Sequence, residues 1–108
     1  MTVSFLKFLS GVRVPKVCII AAAAVNTANQ LGLGMDIVIT SGNDKTHAMK
    51  SKHYSDEALD FRTKTMKPLN KHNFVFGLKQ RLGLHYDVIL EDEGGPNEHC
   101  HAEYDPKD

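Results

Sequence analysis

The chain has 108 residues, and its 13 Lys and Arg residues balance its 13 Asp and Glu residues, so the formal net charge is zero. This length predicts one domain over residues 1–108, and the balanced charge excludes a general basic field that would gather nucleic acid or anionic lipid. The two cysteines, Cys18 and Cys100, lack Cys-x-x-Cys spacing and do not indicate a disulfide framework. Their apolar or alternating surroundings predict buried thiols.

An apolar run at residues 17–25 follows three basic residues near the N-terminus. The pattern has two interpretations, a secretory signal sequence or a helix of the folded domain. The run is too short to span a bilayer, so we expect no stable membrane insertion. We favour a buried helix that begins near Pro15 and continues through Ala28, closed by Gly32 or Gly34. We expect the folded chain to be a monomer.

The remaining elements follow from apolar periodicity and turn residues. Alternating or β-branched stretches predict strands, and apolar residues at helical spacing predict a second helix that Gly83 ends. The strands are expected at residues 36–40, 58–62, 86–90 and 99–104, and the second helix at residues 67–82. Strands and helices mix without strict alternation, which predicts an α+β fold with a small, mostly antiparallel sheet and flanking helices.

The last predicted strand carries two histidines on one face. Side chains alternate along a strand, so His99 and His101 lie together and Cys100 takes the other face. An exposed pair of this kind is common, and alone it is a weak sign of a metal site. Glu98 adds a carboxylate at the start of the strand, where a zinc hydrolase needs a base that is not a ligand. The alternative for Glu98 is a solvated residue of a turn.

A second group of candidate ligands comes from the middle of the chain. Asp60 lies between Leu59 and Phe61 in an apolar strand, where an unpaired carboxylate would be costly. His53 lies in the polar stretch before that strand and is, by itself, compatible with a surface loop. Zinc accepts histidine nitrogen and aspartate oxygen, and catalytic zinc sites typically use three protein ligands and a water.

The segment from Ser51 to Asp60 resembles the Ser-x-His-x-x-Gly-x-Ala-x-Asp motif of zinc D-alanyl-D-alanine carboxypeptidases and the related phage L-alanyl-D-glutamate endopeptidases, or endolysins. The matching positions are Ser51, His53, Ala58 and Asp60. Glu98 and His101 match the second motif of this family, an acidic residue followed by two spacers and a histidine. The resemblance covers residues 36 to 105 and implies a Hedgehog/DD-peptidase-like fold.

This resemblance implies a site and an activity. His53, Asp60 and His101 would bind Zn²⁺, Glu98 would be the general base, and a bacterial cell-wall peptide of peptidoglycan would be the substrate. Asp56 occupies the position of the motif glycine, where Gly permits an unusual backbone angle that Asp also tolerates. The replacement bears on the substrate class more than on the metal, and the resemblance is compatible with both carboxypeptidase and endopeptidase cleavage.

Three further residues are weaker candidates for substrate binding. Arg62 shares a strand face with Asp60 and could bind a substrate carboxylate, or it could be a structural ion-pair partner. Ser51 could contact substrate or shape its loop, and His99 could act beside the metal. The competing function is a non-catalytic zinc-binding structural module of the same fold, which would have no use for the base that Glu98 supplies.

Overall fold

The computed structural model of the protein describes residues 6–8, 18–41 and 57–106, with only the backbone described for residues 6–8. The predictions for Ser51, His53 and Asp56 lie outside the described residues. The elements in chain order are β1 (Leu6–Phe8), α1 (Cys18–Leu31), β2 (Ile37–Ser41), β3 (Ala58–Arg62), α2 (Pro68–Leu82), β4 (Tyr86–Glu91) and β5 (His99–Tyr104).

The five strands form one sheet in the order β1-β2-β3-β5-β4. The pairs β2–β3, β3–β5 and β5–β4 are antiparallel, and β1 pairs parallel with β2. The predicted α+β class and mostly antiparallel sheet are therefore confirmed. The strand β1 was not predicted, whereas β3 and β5 have their predicted bounds.

Both helices pack against one face of this sheet, and the core lies between these two layers. Alternate strand residues point toward the helices and join a single buried cluster with apolar residues of α1 and α2. The strand members of this cluster are Ile37, Ile39, Leu59, Phe61, Val88, Cys100 and Ala102. Phe61 meets Phe74 of α2 edge-on, with ring centroids 6.2 Å apart. This arrangement leaves the alternate residues of each strand on the second face of the sheet.

The two cysteines differ in burial. Cys100 is fully buried, and burial together with the nearby negative charges of Asp60 and Glu91 raises the pKa of its thiol to about 12. The prediction of a buried thiol at Cys18 is wrong, because this residue opens α1 and is exposed, while the buried positions of α1 begin at Ile20.

The helices approach each other closely where Thr27 of α1 faces Gly77 of α2. A Cβ atom placed on Gly77 would lie 2.8 Å from the Cγ2 methyl of Thr27. Thr27 also donates a hydrogen bond of 2.7 Å to the carbonyl oxygen of Ala23, which fixes its side chain. Neither described helix has both the length and the apolar character that crossing a bilayer requires.

Candidate functional site

The pairing of β3 with β5 brings the candidate site residues together. The antiparallel register places Asp60 opposite His101 and Arg62 opposite His99. The neighbouring residues Leu59 and Phe61 point into the core, so these four side chains lie on the face of the sheet away from the helices. Cross-strand partners that are 41 and 37 positions apart in the sequence thus come to share one surface patch.

Asp60 and His101 are in direct contact in this patch. Asp60 Oδ1 lies 2.8 Å from His101 Nδ1, and the Asp60 residue is only 8% exposed. The other ring nitrogen of His101, Nε2, lies 2.7 Å from Glu103 Oε1. Burial lowers the pKa of His101, but its hydrogen bonds to Asp60 and Glu103 and their negative charges outweigh burial and raise that pKa to about 9. This histidine therefore lies in an environment that stabilises positive charge.

His99 borders the same patch. Its Nδ1 donates to the carbonyl oxygen of Asn97 over 2.6 Å, which directs Nε2 toward the carboxylates. His99 Nε2 lies 3.2 Å from Glu91 Oε1 and 3.9 Å from Asp60 Oδ1. The structure thus places His99 next to Asp60 without a direct hydrogen bond between them.

A cleft of about 370 Å³ opens beside Asp60. Its lining residues are Thr40, Asp60, Arg62, Lys64, Pro96, Asn97, Glu98 and His99. Arg62 and Lys64 form no ion pair with any of the residues that the structure describes. Two cations that form no ion pair with the described residues suit an anionic group of a ligand.

Glu98 lies at one end of this cleft, where its carboxylate is occupied by other partners. Oε1 accepts hydrogen bonds from Lys71 Nζ at 2.6 Å and from the Gly94 N–H at 3.0 Å, and Oε2 accepts one from Thr63 Oγ1 at 2.6 Å. Hydrogen bonds from Lys71 first, then from Thr63 and Gly94, lower the pKa of Glu98 to about 2 despite its burial. Within the described part of the chain, none of its hydrogen bonds goes to Asp60 or His101.

The turn between β4 and β5 presents Glu98 in this way. Asp92 has a φ of 51°, and its Oδ2 accepts a hydrogen bond of 2.9 Å from the Asn97 N–H. Gly94 has a φ of 80°, in the left-handed region that glycine tolerates. At Gly95 an added Cβ would collide with the Asp92 carboxylate, so a larger residue would displace that side chain. Gly95 thus leaves room for the Asp92 carboxylate inside the turn, and Gly94 directs its N–H to the Glu98 carboxylate.

Sequence reasoning missed Lys71, Thr63 and the role of Glu103. A helical lysine is usually solvated, but Lys71 precedes the buried residues Phe74 and Leu78 at spacings of three and seven, which places it on the buried face. Glu103 is paired with His101. Its position two residues from His101 on one strand face was the available signal.

Another group of acidic residues lies next to Glu103. Among the described residues, Asp87, Glu103 and Asp105 bring their carboxylates within 4.8 Å of one another. Such groups are common on protein surfaces without an ion, and the set has no nitrogen or sulfur donor of the kind that zinc prefers. The zinc-type donors lie instead at Asp60 and His101.

The chain matches no protein-family model, no curated protein and no solved structure. Its functional assignment therefore depends on the residue pattern and on the geometry of this cleft.

Proposed function

We propose that this chain is a zinc-dependent peptidase that hydrolyses peptide bonds in the stem peptides of bacterial peptidoglycan. The observation that carries the proposal is the Asp60–His101 pair, whose Oδ1 and Nδ1 atoms are 2.8 Å apart beside a cleft. Two ligand atoms about 2 Å from a tetrahedral ion lie roughly 3.3 Å apart, so a small opening of this pair would fit zinc.

The donor set supports the same metal. Aspartate oxygen and imidazole nitrogen are both zinc ligands, and a zinc-bound histidine usually donates its second ring N–H to a carboxylate. Glu103 is in place to accept that hydrogen bond from His101 Nε2. In the proposal, His53 supplies the third ligand from outside the described residues. Zinc, when bound, polarises a carbonyl group and lowers the pKa of its water to about 7.

The proposal gives the side chains of the cleft separate tasks. Glu98 takes the proton of the attacking water and passes it to the leaving amine, for which one of its oxygens must exchange a present partner. Arg62 binds a substrate carboxylate, and His99 donates a hydrogen bond to the developing oxyanion. Ser51, outside the described residues, is a further candidate contact for the substrate.

One observation favours a second candidate function, a non-catalytic zinc-binding module. Both carboxylate oxygens of Glu98 are occupied by Lys71, Thr63 and Gly94, and a carboxylate with a pKa of about 2 is a weak base. In a module that only binds zinc, Glu98 would serve to tie the turn to α2. The two functions therefore differ in whether Glu98 ever accepts a proton.

The experiment that tests the proposal is digestion of purified peptidoglycan by the zinc-loaded protein, with the fragments identified by mass spectrometry. Release of D-alanine would identify a carboxypeptidase, and a new amino terminus within the stem peptide would identify an endopeptidase. The Glu98→Gln variant should keep its zinc but lose activity by a factor on the order of 10² to 10⁴.

Glu93→Gln is the matched control, because Glu93 lies in the same turn and pairs with the exposed His72. It should retain both zinc and activity. If the zinc-loaded wild type releases no fragment from peptidoglycan, the proposal is wrong and the zinc-binding module becomes the better assignment.

A further inference from the structure

Lys71 is a buried lysine on the face of α2 that packs against the sheet. It is 9% exposed and lies on the same helix face as the fully buried residues Phe74 and Leu78. Lysine is almost never buried to this extent without a partner, because its charge loses hydration. The partner is Glu98, whose Oε1 lies 2.6 Å from Lys71 Nζ.

Three segments of the chain meet at this carboxylate. Lys71 comes from α2, the fully buried Thr63 follows β3, and Gly94 belongs to the turn between β4 and β5. Each supplies one donor, so the position of the Glu98 carboxylate is fixed from three directions. Lys71 is the only charged donor of the three, and it therefore contributes the strongest of these hydrogen bonds.

We propose that Lys71 is a positioning residue for Glu98, holding its carboxylate at the end of the cleft from the helix side. The inference rests on the proposed function, in which Glu98 is the base of the reaction. Lys71 does not line the cleft and acts on the reaction only through Glu98. This separates it from Arg62 and Lys64, which line the cleft themselves.

The charges around Glu98 predict how the loss of Lys71 would be detected. Four ionisable residues line the cleft together with Glu98, namely Asp60, Arg62, Lys64 and His99. Among the described residues of α2, only Lys71 forms an ion pair with Glu98. Without Lys71 the carboxylate would stay buried with two neutral donors. The largest cause of its lowered pKa would then be missing, and Glu98 would become protonated at a higher pH than in the wild type.

The test compares Lys71→Met with Lys71→Arg and with Lys79→Met, a control at an exposed lysine of the same helix. The first readout needs no activity: the titration of the Glu98 side-chain carboxyl carbon by NMR. Lys71→Met should raise the midpoint from about 2 toward the ordinary value of 4.5, while Lys79→Met should leave it unchanged. The second readout is kcat/KM for a stem peptide, normalised to bound zinc. As the pH is lowered, kcat/KM should begin to decline at a higher pH in Lys71→Met than in the wild type. Lys71→Arg should restore most of the wild-type profile.

If Lys71→Met does not fold, the wild type and Glu98→Gln still decide the question. Hydrogen exchange of the Lys71 ammonium group should be slow in the wild type and fast in Glu98→Gln. Equal NMR midpoints in wild type and Lys71→Met, or fast exchange of the Lys71 ammonium group in the wild type, would overturn the inference. Absence of hydrolysis by the wild type would refute the proposed function instead, since the NMR and exchange measurements do not depend on turnover.

Discussion

Asp60 and His101 are 41 positions apart in the sequence, yet Asp60 Oδ1 lies 2.8 Å from His101 Nδ1. The register of β3 and β5 makes them direct cross-strand partners, so the contact is set by backbone pairing and not by a flexible loop. Cross-strand partners on one face keep their Cβ atoms about 5 Å apart, a separation that holds two ligand side chains ready for one ion. The sheet therefore pre-organises this part of the proposed zinc site.

The first prediction concerns zinc affinity. Asp60→Asn and His101→Gln should each weaken zinc binding by more than about 100-fold, because the loss of a ligand exceeds the 10- to 100-fold effect typical of an outer hydrogen-bond partner. Glu103→Gln should fall within that smaller range, since Glu103 contacts the far nitrogen of His101. Competition with a chromophoric chelator measures all three affinities.

The control for this series is His72→Gln, which changes an exposed histidine that pairs with Glu93. Its zinc affinity should equal that of the wild type. Wild-type affinity in Asp60→Asn would remove Asp60 from the ligand set, and equal losses in Glu103→Gln and His101→Gln would mean that Glu103 is itself a ligand.

The sequence predicted the strands that carry Asp60 and His101 better than it predicted the environment of Glu98. Alternation along β3 and β5 was visible in the residue pattern, and it fixes which side chains share a face. The family motif also named both residues before their pairing was known. The resemblance placed both residues at one proposed zinc site, whereas the pairing of β3 with β5 is seen only in the structure.

The partners of Glu98 could not be anticipated in the same way. They depend on how α2 docks on the sheet and on how the turn after β4 folds. Neither can be derived from the spacing of apolar and polar residues along the sequence. Leu69 illustrates the difficulty, because it is as apolar as the buried residues Phe74 and Leu78 of the same helix but is 71% exposed. The buried position near the start of α2 belongs instead to Lys71, which only tertiary packing reveals.

The second prediction concerns stability in acid. The folded-state pKa of Glu98 is lowered from 4.5 to about 2, so its contribution to stability is present above pH 4.5 and is lost as the pH falls toward 2. The free energy of unfolding of the metal-free wild type should therefore decline over this window. In Glu98→Gln the decline should be shallower, because no carboxylate at that position remains to be protonated.

Urea unfolding at several pH values between 3 and 7, in the presence of chelator, measures this slope. Glu93→Gln serves as control, since it removes an exposed carboxylate from the same turn and should keep the wild-type slope. Parallel declines in the wild type and in Glu98→Gln would show that other carboxylates cause the acid sensitivity.

The third prediction concerns the contact between the helices. Gly77→Ala would place a methyl group 2.8 Å from Thr27 Cγ2, and Thr27 is 2% exposed, so the helices must shift or separate. Overpacking of this kind typically costs about 1–3 kcal/mol, more than the 0.5–1 kcal/mol by which alanine normally stabilises a helix interior over glycine. The free energy of unfolding should therefore fall in Gly77→Ala.

The same substitution should have the opposite sign in a Thr27→Ser background. Serine keeps the hydroxyl that donates to the Ala23 carbonyl oxygen but lacks the Cγ2 methyl. Gly77→Ala should then raise the free energy of unfolding relative to Thr27→Ser alone, as measured by urea unfolding of the four proteins. Equal effects in both backgrounds would mean that the contact with Thr27 is not what limits this position.

The last prediction concerns the anionic group of the substrate. Arg62 lines the cleft, shares its strand face with Asp60 and has no ion-pair partner among the described residues, so its guanidinium group can bind a carboxylate in a bidentate manner. Arg62→Gln should lower kcat/KM for a stem peptide whose carboxylate lies near the scissile bond. The loss should be on the order of 10- to 100-fold, corresponding to the 1.5–3 kcal/mol typical of a hydrogen bond to a charged group.

Two comparisons separate substrate binding from a structural role of Arg62. The same peptide with its carboxylate converted to an amide should be a poor substrate for the wild type, and Arg62→Gln should lower its kcat/KM little further. Arg62→Lys should recover only part of the activity on the carboxylate peptide, because an ammonium group offers charge without the planar two-donor geometry of guanidinium. A similar loss on both peptides, together with a lower melting temperature, would instead make Arg62 a structural residue of the sheet.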